Sequence, residues 1–112
     1  MDKRKHPRYA VEYAGSFLGN GINSQGMILN LSTSGCRGSS EAMIRQDALL
    51  RVVIDVPPLL APIQVDRAII RWSSGKEFGL EFVGISFEDQ QRLHGLILAM
   101  KAAQPSRNPS PR

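Results

Sequence analysis

The sequence predicts a mostly β protein: a small antiparallel β-barrel of five or six short strands, six on the fuller count, with one C-terminal helix packed on it. Three observations lead there. Between residues 9 and 84, short runs alternate apolar with polar residues and are separated by Gly, Asn and Pro clusters. Only one segment, near the C-terminus, changes to a helical period. The chain has 112 residues, 42% of them hydrophobic, which fits one domain with a real core and no need of staples.

The elements follow in order. Val11, Tyr13 and Phe17 alternate with Glu12, Ala14 and Ser16, the pattern of a half-buried strand. "GNGINSQG", residues 19–26, reads as a turn cluster, because Gly and Asn tolerate positive φ. Met27 to Leu31 forms a short apolar strand that runs into a polar turn at 32–35, and Arg37 to Ser40 begins another strand. Val52, Ile54 and Val56 alternate next, until "DVPPLLAP" breaks the ladder, since proline has no N–H to donate. Ile63 and Val65 share one face, but Ala68, Ile70 and Trp72 have the opposite parity, so a bulge is expected near Asp66–Arg67. "SSGKE", residues 73–77, reads as a hairpin loop, after which Phe78, Leu80 and Phe82 return on one face. By parity Trp72, Phe78 and Phe82 are core residues. Leu93, Leu96, Ile97 and Met100 fall at i, i+3, i+4 and i+7, one apolar stripe of a helix. Ser86 is its expected N-cap, with Glu88 and Asp89 in the first turn, where the macrodipole favours acids. The chain thus divides into a flexible basic arm (1–8), a barrel with its helix (9–101), and a proline-bearing tail (102–112) expected to be disordered.

Charge is spread unevenly. Residues 1–8 sum to +3, residues 101–112 to another +3, and the stretch between to −2. A DNA- or RNA-binding body more usually carries its positive stripe on folded surface, so neither partner is expected. One cysteine excludes an internal disulfide, and two scattered histidines give no metal-ligand spacing, so no metal or cofactor is expected. No apolar run approaches the roughly 18 residues of a membrane span. No apolar stretch follows the basic N-terminus as in a secretory signal, so the expected location is cytoplasmic. Sequence motifs of serine hydrolases, zinc proteases and phosphate-binding loops are absent, and no catalytic residue is assigned. Cys36 beside Arg37 reads as a small residue at a strand start, and His94 as a packed or surface residue.

Two stretches remain to be explained, "DKRKHPRY" at 2–9 and "LNLSTSGCRG" at 29–38. Pro7 biases His6 away from helical torsions, so Arg4 and Arg8 belong to an extended loop that can wrap a ligand. Arginine offers a planar fork of donors that matches phosphate oxygens or the O6/N7 edge of guanine. In the second stretch Asn30 has both donors and acceptors, Ser32 can donate, and Gly35 permits close backbone approach and positive φ. Alone, a basic arm is more often a solvated tail, and Asn-x-Ser-x-x-Gly fits many turns.

Taken together, Arg4–Arg8, one intervening strand, Asn30–Ser32–Gly35 and a barrel pattern ending in a helix resemble the PilZ domain family. The stretch "RAIIRWSSGKEFGLEFVGIS", residues 67–86, is similar to that family's penultimate hairpin, and the resemblance covers roughly residues 3–100. It implies a six-stranded barrel that binds the bacterial second messenger cyclic di-GMP. In such a domain Arg4 and Arg8 would contact guanine edges and phosphates, Asn30 and Ser32 would hydrogen-bond the ligand, and Gly35 would shape the turn. Lys3, Lys5 and Arg37 are auxiliary candidates; Lys3 stands where the family often has arginine. The implied role is that of a receptor acting on a downstream protein in processes such as motility or biofilm formation. Two other readings stay open: a PilZ-like adaptor that binds protein without nucleotide, and a small barrel that binds single-stranded nucleic acid. The latter needs exposed aromatics interleaved with basic residues.

Overall fold

Alternation along six runs produces six strands in the computed structural model, which describes residues 7–57, 59 and 61–103. They are β1 (Tyr9–Gly19), β2 (Ile22–Leu31), β3 (Gly35–Ser40), β4 (Leu49–Asp55), β5 (Ile63–Ser74) and β6 (Glu77–Gly84). All pairs are antiparallel, in the order β1-β2-β3-β6-β5-β4, and β4 returns to β1 to close the barrel. Closure removes the free sheet edges that would otherwise invite pairing with another chain.

The first hairpin is longer than the turn cluster suggested. Asn20 (φ 51°) and Gly21 (φ 74°) both take left-handed torsions and make the reversal in two residues. Ile22 to Gly26 therefore belongs to β2, although its polar composition disguises it; the inward Ser24 hydroxyl bonds that of Ser40 at 2.7 Å. The bulge expected near Asp66–Arg67 is present, since Val65 faces Val52 and Ala68 faces Leu50, leaving β5 one residue in excess. A second excess residue on β5, Arg71, lies between the pairs Ile70–Leu80 and Trp72–Gly79. It corrects one expectation: Trp72 leaves the core parity and is 39% exposed, while Phe78 stays buried and Phe82 packs partly buried against the core.

Phe17 and Phe78 meet edge to face in the barrel interior, with ring centroids 5.0 Å apart and planes at 89°. One end of the barrel is filled by Ile44, whose carbonyl accepts from Ser73 Oγ at 2.6 Å. The other end is covered by α1 (Phe87–Ala103), which inserts the fully buried Leu93. Burying that side chain contributes about 1.5–3 kcal/mol. Ser86 caps the helix as expected, its Oγ accepting from Asp89 N at 3.1 Å. Arg92 fastens the helix to the β4–β5 connection by donating to the carbonyls of Pro62 (2.9 Å) and Ala61. The helix runs to Ala103, so residues 102 and 103 are helical rather than tail. Residues 104–112 and the arm residues 1–6 lie outside the described residues.

Candidate ligand-binding site

The register of β1 on β2 brings Arg8, the described end of the first motif, to the second motif. Tyr9 lies opposite Leu31 and Ala10 opposite Asn30, so Arg8 enters the barrel beside Ser32. Arg8 is half-buried, and its Nε is shielded from solvent without a hydrogen-bond partner among the described residues. Burial pushes the Cys36 thiol up to about 12, an effect only partly offset by the nearby Arg8 charge. A thiol so disposed is not a nucleophile at neutral pH, consistent with the structural reading of Cys36. Lys3, Arg4 and Lys5 fall outside the described residues.

Ser32 is fully buried, and its Oγ organises the turn. It donates to the Gly35 carbonyl at 3.1 Å and accepts from the backbone N–H groups of Ser34 and Gly35, both at 3.1 Å. One proton and two lone pairs are thereby used, which saturates a hydroxyl. Gly35 is required for space and not for torsion: its φ lies outside the left-handed region, but a Cβ there would come within 2.3 Å of the Leu80 carbonyl oxygen. The turn is further tied to β6 by Phe82 N donating to Ser34 O at 2.9 Å.

Asn30 follows a point where β2 carries one residue more than β3, Leu29, between the pairs Ile28–Gly38 and Asn30–Arg37. Such a bulge leaves a ladder N–H free, and Asn30 Oδ1 accepts from Arg37 N at 3.0 Å. Its amide Nδ2 remains as the donating end. The Arg37 side chain donates from Nη1 to Glu77 Oε1 at 2.7 Å.

Cross-strand pairing sets these residues in one row over four strands: Asn30, Arg37, Gly79, Trp72. Gly79 leaves room for the indole, since a Cβ there would lie 2.1 Å from Trp72 Nε1. The ring therefore rests on the β6 backbone with its outer face open. Arg71 continues the row's charge pattern by bonding Glu81. Sequence parity hid Trp72 and Glu77 from view; the one available signal was a glycine placed to receive a cross-strand aromatic. At the helix-covered end, a cavity of about 300 Å³ lies between Pro7, Tyr9, Thr33, His94, Ile97, Leu98 and Lys101. It adjoins Arg8 and the 32–35 turn, and His94 is exposed on its wall. Among the described residues, no group of three or more His, Cys, Asp or Glu is placed to hold a metal ion. No helix among them is long and apolar enough to cross a membrane.

Comparison with known proteins agrees with this architecture. The family model described as PilZ domain matches residues 2–99. Among solved structures, the Bacillus subtilis inhibitor of motility (MotI/DgrA) superposes with a TM-score of 0.74 at 17% identity, covering 95% of this chain and 55% of that one. MrkH, described as a c-di-GMP-dependent transcription regulatory factor, gives a TM-score of 0.72 at 18% identity, covering 91% of this chain and 52% of its own. The PilZ domain of CeSA from a cellulose-synthesising bacterium gives 0.66 at 11% identity, covering 85% of this chain and 98% of the domain. The chain thus spans about half the length of the first and of MrkH. No curated protein matches it in sequence.

Proposed function

This chain belongs to the PilZ domain family, and on that premise we propose that it is a receptor for cyclic di-GMP. The observation that carries the reading is the placement of Arg8. A guanidine nitrogen buried without a partner among the described residues stands beside an intact Asn30–Ser32–Gly35 turn. Leaving a buried donor unmet costs about 1–3 kcal/mol, so such a group is stabilised by any ligand that supplies an acceptor. Guanine O6/N7 and phosphate oxygens are the acceptors that fit a guanidinium fork.

In this reading Arg4 and Arg8 clamp the dinucleotide against the barrel, with Lys3 and Lys5 adding positive charge. Asn30 donates through Nδ2 and Arg37 through its guanidinium. Ser32 acts by holding the turn, since its own hydroxyl is saturated, and Gly35 lets that turn close on β6. The open indole of Trp72 offers a base a stacking surface, an interaction that contributes about 1–3 kcal/mol per base. Closure of the 1–8 arm over the ligand changes the surface presented to a downstream protein, a population shift driven by differential affinity. Unchanged order parameters for the arm amides with and without ligand would refute that last step.

The exposed Trp72 beside Arg37 and Arg71 also meets part of what a single-stranded nucleic acid binder needs. Glu77 and Glu81 on the same face oppose a polyanion. Isothermal titration of cyclic di-GMP at physiological salt, into wild type and Arg8→Ala, tests the reading. Micromolar or tighter binding, weakened at least about tenfold in the variant, supports it. Absence of binding to wild type overturns it in favour of a nucleotide-free adaptor, and salt-sensitive oligonucleotide binding overturns it in favour of the nucleic-acid reading.

A further inference from the structure

The Trp72 ring is surrounded by charges of both signs. Along β6, Glu77 and Glu81 stand two residues to either side of Gly79 and on its face, each about 7 Å away along the strand. Arg37, opposite Gly79 on β3, pairs with Glu77; Arg71 pairs with Glu81. These side chains are between 36% and 53% exposed, so a flat ring laid on the indole would meet them at its edges.

Resting on the cyclic di-GMP reading, we propose that Glu77 is the residue that selects guanine at this face, by accepting hydrogen bonds from its N1–H and N2 amino groups. Guanine carries its O6/N7 acceptors and its N1–H/N2 donors on contiguous edges, and Arg37 and Glu77 are contiguous in the structure. Adenine in the same place would set its N6 donor against the guanidinium and its N1 acceptor against the carboxylate, two like-with-like contacts. Asn30 Oδ1 already accepts from Arg37 N, which leaves it one lone pair, too few to meet both the N1–H and the N2 amino group. Between the two carboxylates, Glu81 is gripped by two nitrogens of Arg71, Nε and Nη2, both at 2.6 Å. Glu77 is held through a single Arg37 nitrogen at 2.7 Å and turns more readily to a ligand.

The test compares cyclic di-GMP with cyclic di-IMP, which lacks only the N2 amino groups, by isothermal titration into wild type, Glu77→Gln and Glu81→Gln. A hydrogen bond to a charged acceptor gives wild type about a tenfold or greater preference for cyclic di-GMP. Glu77→Gln should reduce that preference to within about threefold, while Glu81→Gln retains it. Equal affinities in wild type, an unchanged preference in Glu77→Gln, or tighter binding of both ligands by that variant would overturn the proposal, the last by reducing Glu77 to a restraint on Arg37. Collapse of the preference in Glu81→Gln instead would move the selecting role there and overturn it equally. If wild type binds neither dinucleotide, the receptor reading itself fails, a result distinct from all of these.

Discussion

Replacing Ser32 with alanine separates turn-building from ligand contact. The substitution removes the acceptor of two backbone N–H groups and one of the donors to the Gly35 carbonyl. The Gly35 N–H bond is buried and that of Ser34 partly so, while the Gly35 carbonyl keeps the Ser32 N–H at 2.9 Å. A buried donor left unmet costs about 1–3 kcal/mol and a partly wet one less, so a loss of roughly 2–3 kcal/mol is expected. In a domain of this size that lowers Tm by roughly 10–20 °C. The loss should extend to the β3–β6 seam, because Ser34 O and Gly35 both lie against β6. Urea unfolding followed by Trp72 emission and by circular dichroism measures it. A variant within about 0.5 kcal/mol of wild type that has nonetheless lost ligand would refute the turn-building role.

Two further outcomes follow from buried groups. Arg8→Met keeps the apolar stem but removes the unpartnered Nε, so in the absence of ligand it should be more stable by about 1 kcal/mol while binding falls; a ligand-free variant less stable than wild type contradicts this. For Cys36, burial raises the thiol from its ordinary 9.0 to about 12, so the folded protein keeps a proton that the unfolded chain releases. That contribution is fully present below pH 9 and is lost as pH rises toward 12, by up to about 1.4 kcal/mol per pH unit. Unfolding curves of Cys36→Ala should therefore show a shallower alkaline decline than wild type, and equal slopes refute the assignment.

Most of the barrel was legible because period-2 alternation survives wherever one strand face is buried. Opposed parities of Ile63–Val65 and Ala68–Ile70 even disclosed a bulge. The excess residue at Arg71 left no such trace, since Trp72 is the only apolar residue that follows it in β5, before Ser73 and Ser74, and one apolar residue cannot reveal a parity change. Trp72 thus read as core. Ile22–Gly26 was hidden for a different reason: Asn, Ser, Gln and Gly are poor strand formers, and the pairing partners, not propensity, hold them extended. At the site, the motif residues were readable but their division of labour was not. Nothing in Asn-x-Ser-x-x-Gly reveals that the hydroxyl is spent on the turn, that the glycine serves a close approach, or that the Asn30 oxygen repairs a bulge. Those roles depend on β6 and on register, which only the closed barrel fixes.

Trp72 is the only tryptophan of the chain, so its emission reports on the candidate face alone. The account predicts a saturable change in that emission on titration with cyclic di-GMP, with the same midpoint as the calorimetric isotherm. Calorimetric binding with emission unchanged to saturation would place the dinucleotide away from the Asn30–Arg37–Gly79–Trp72 row and contradict the account.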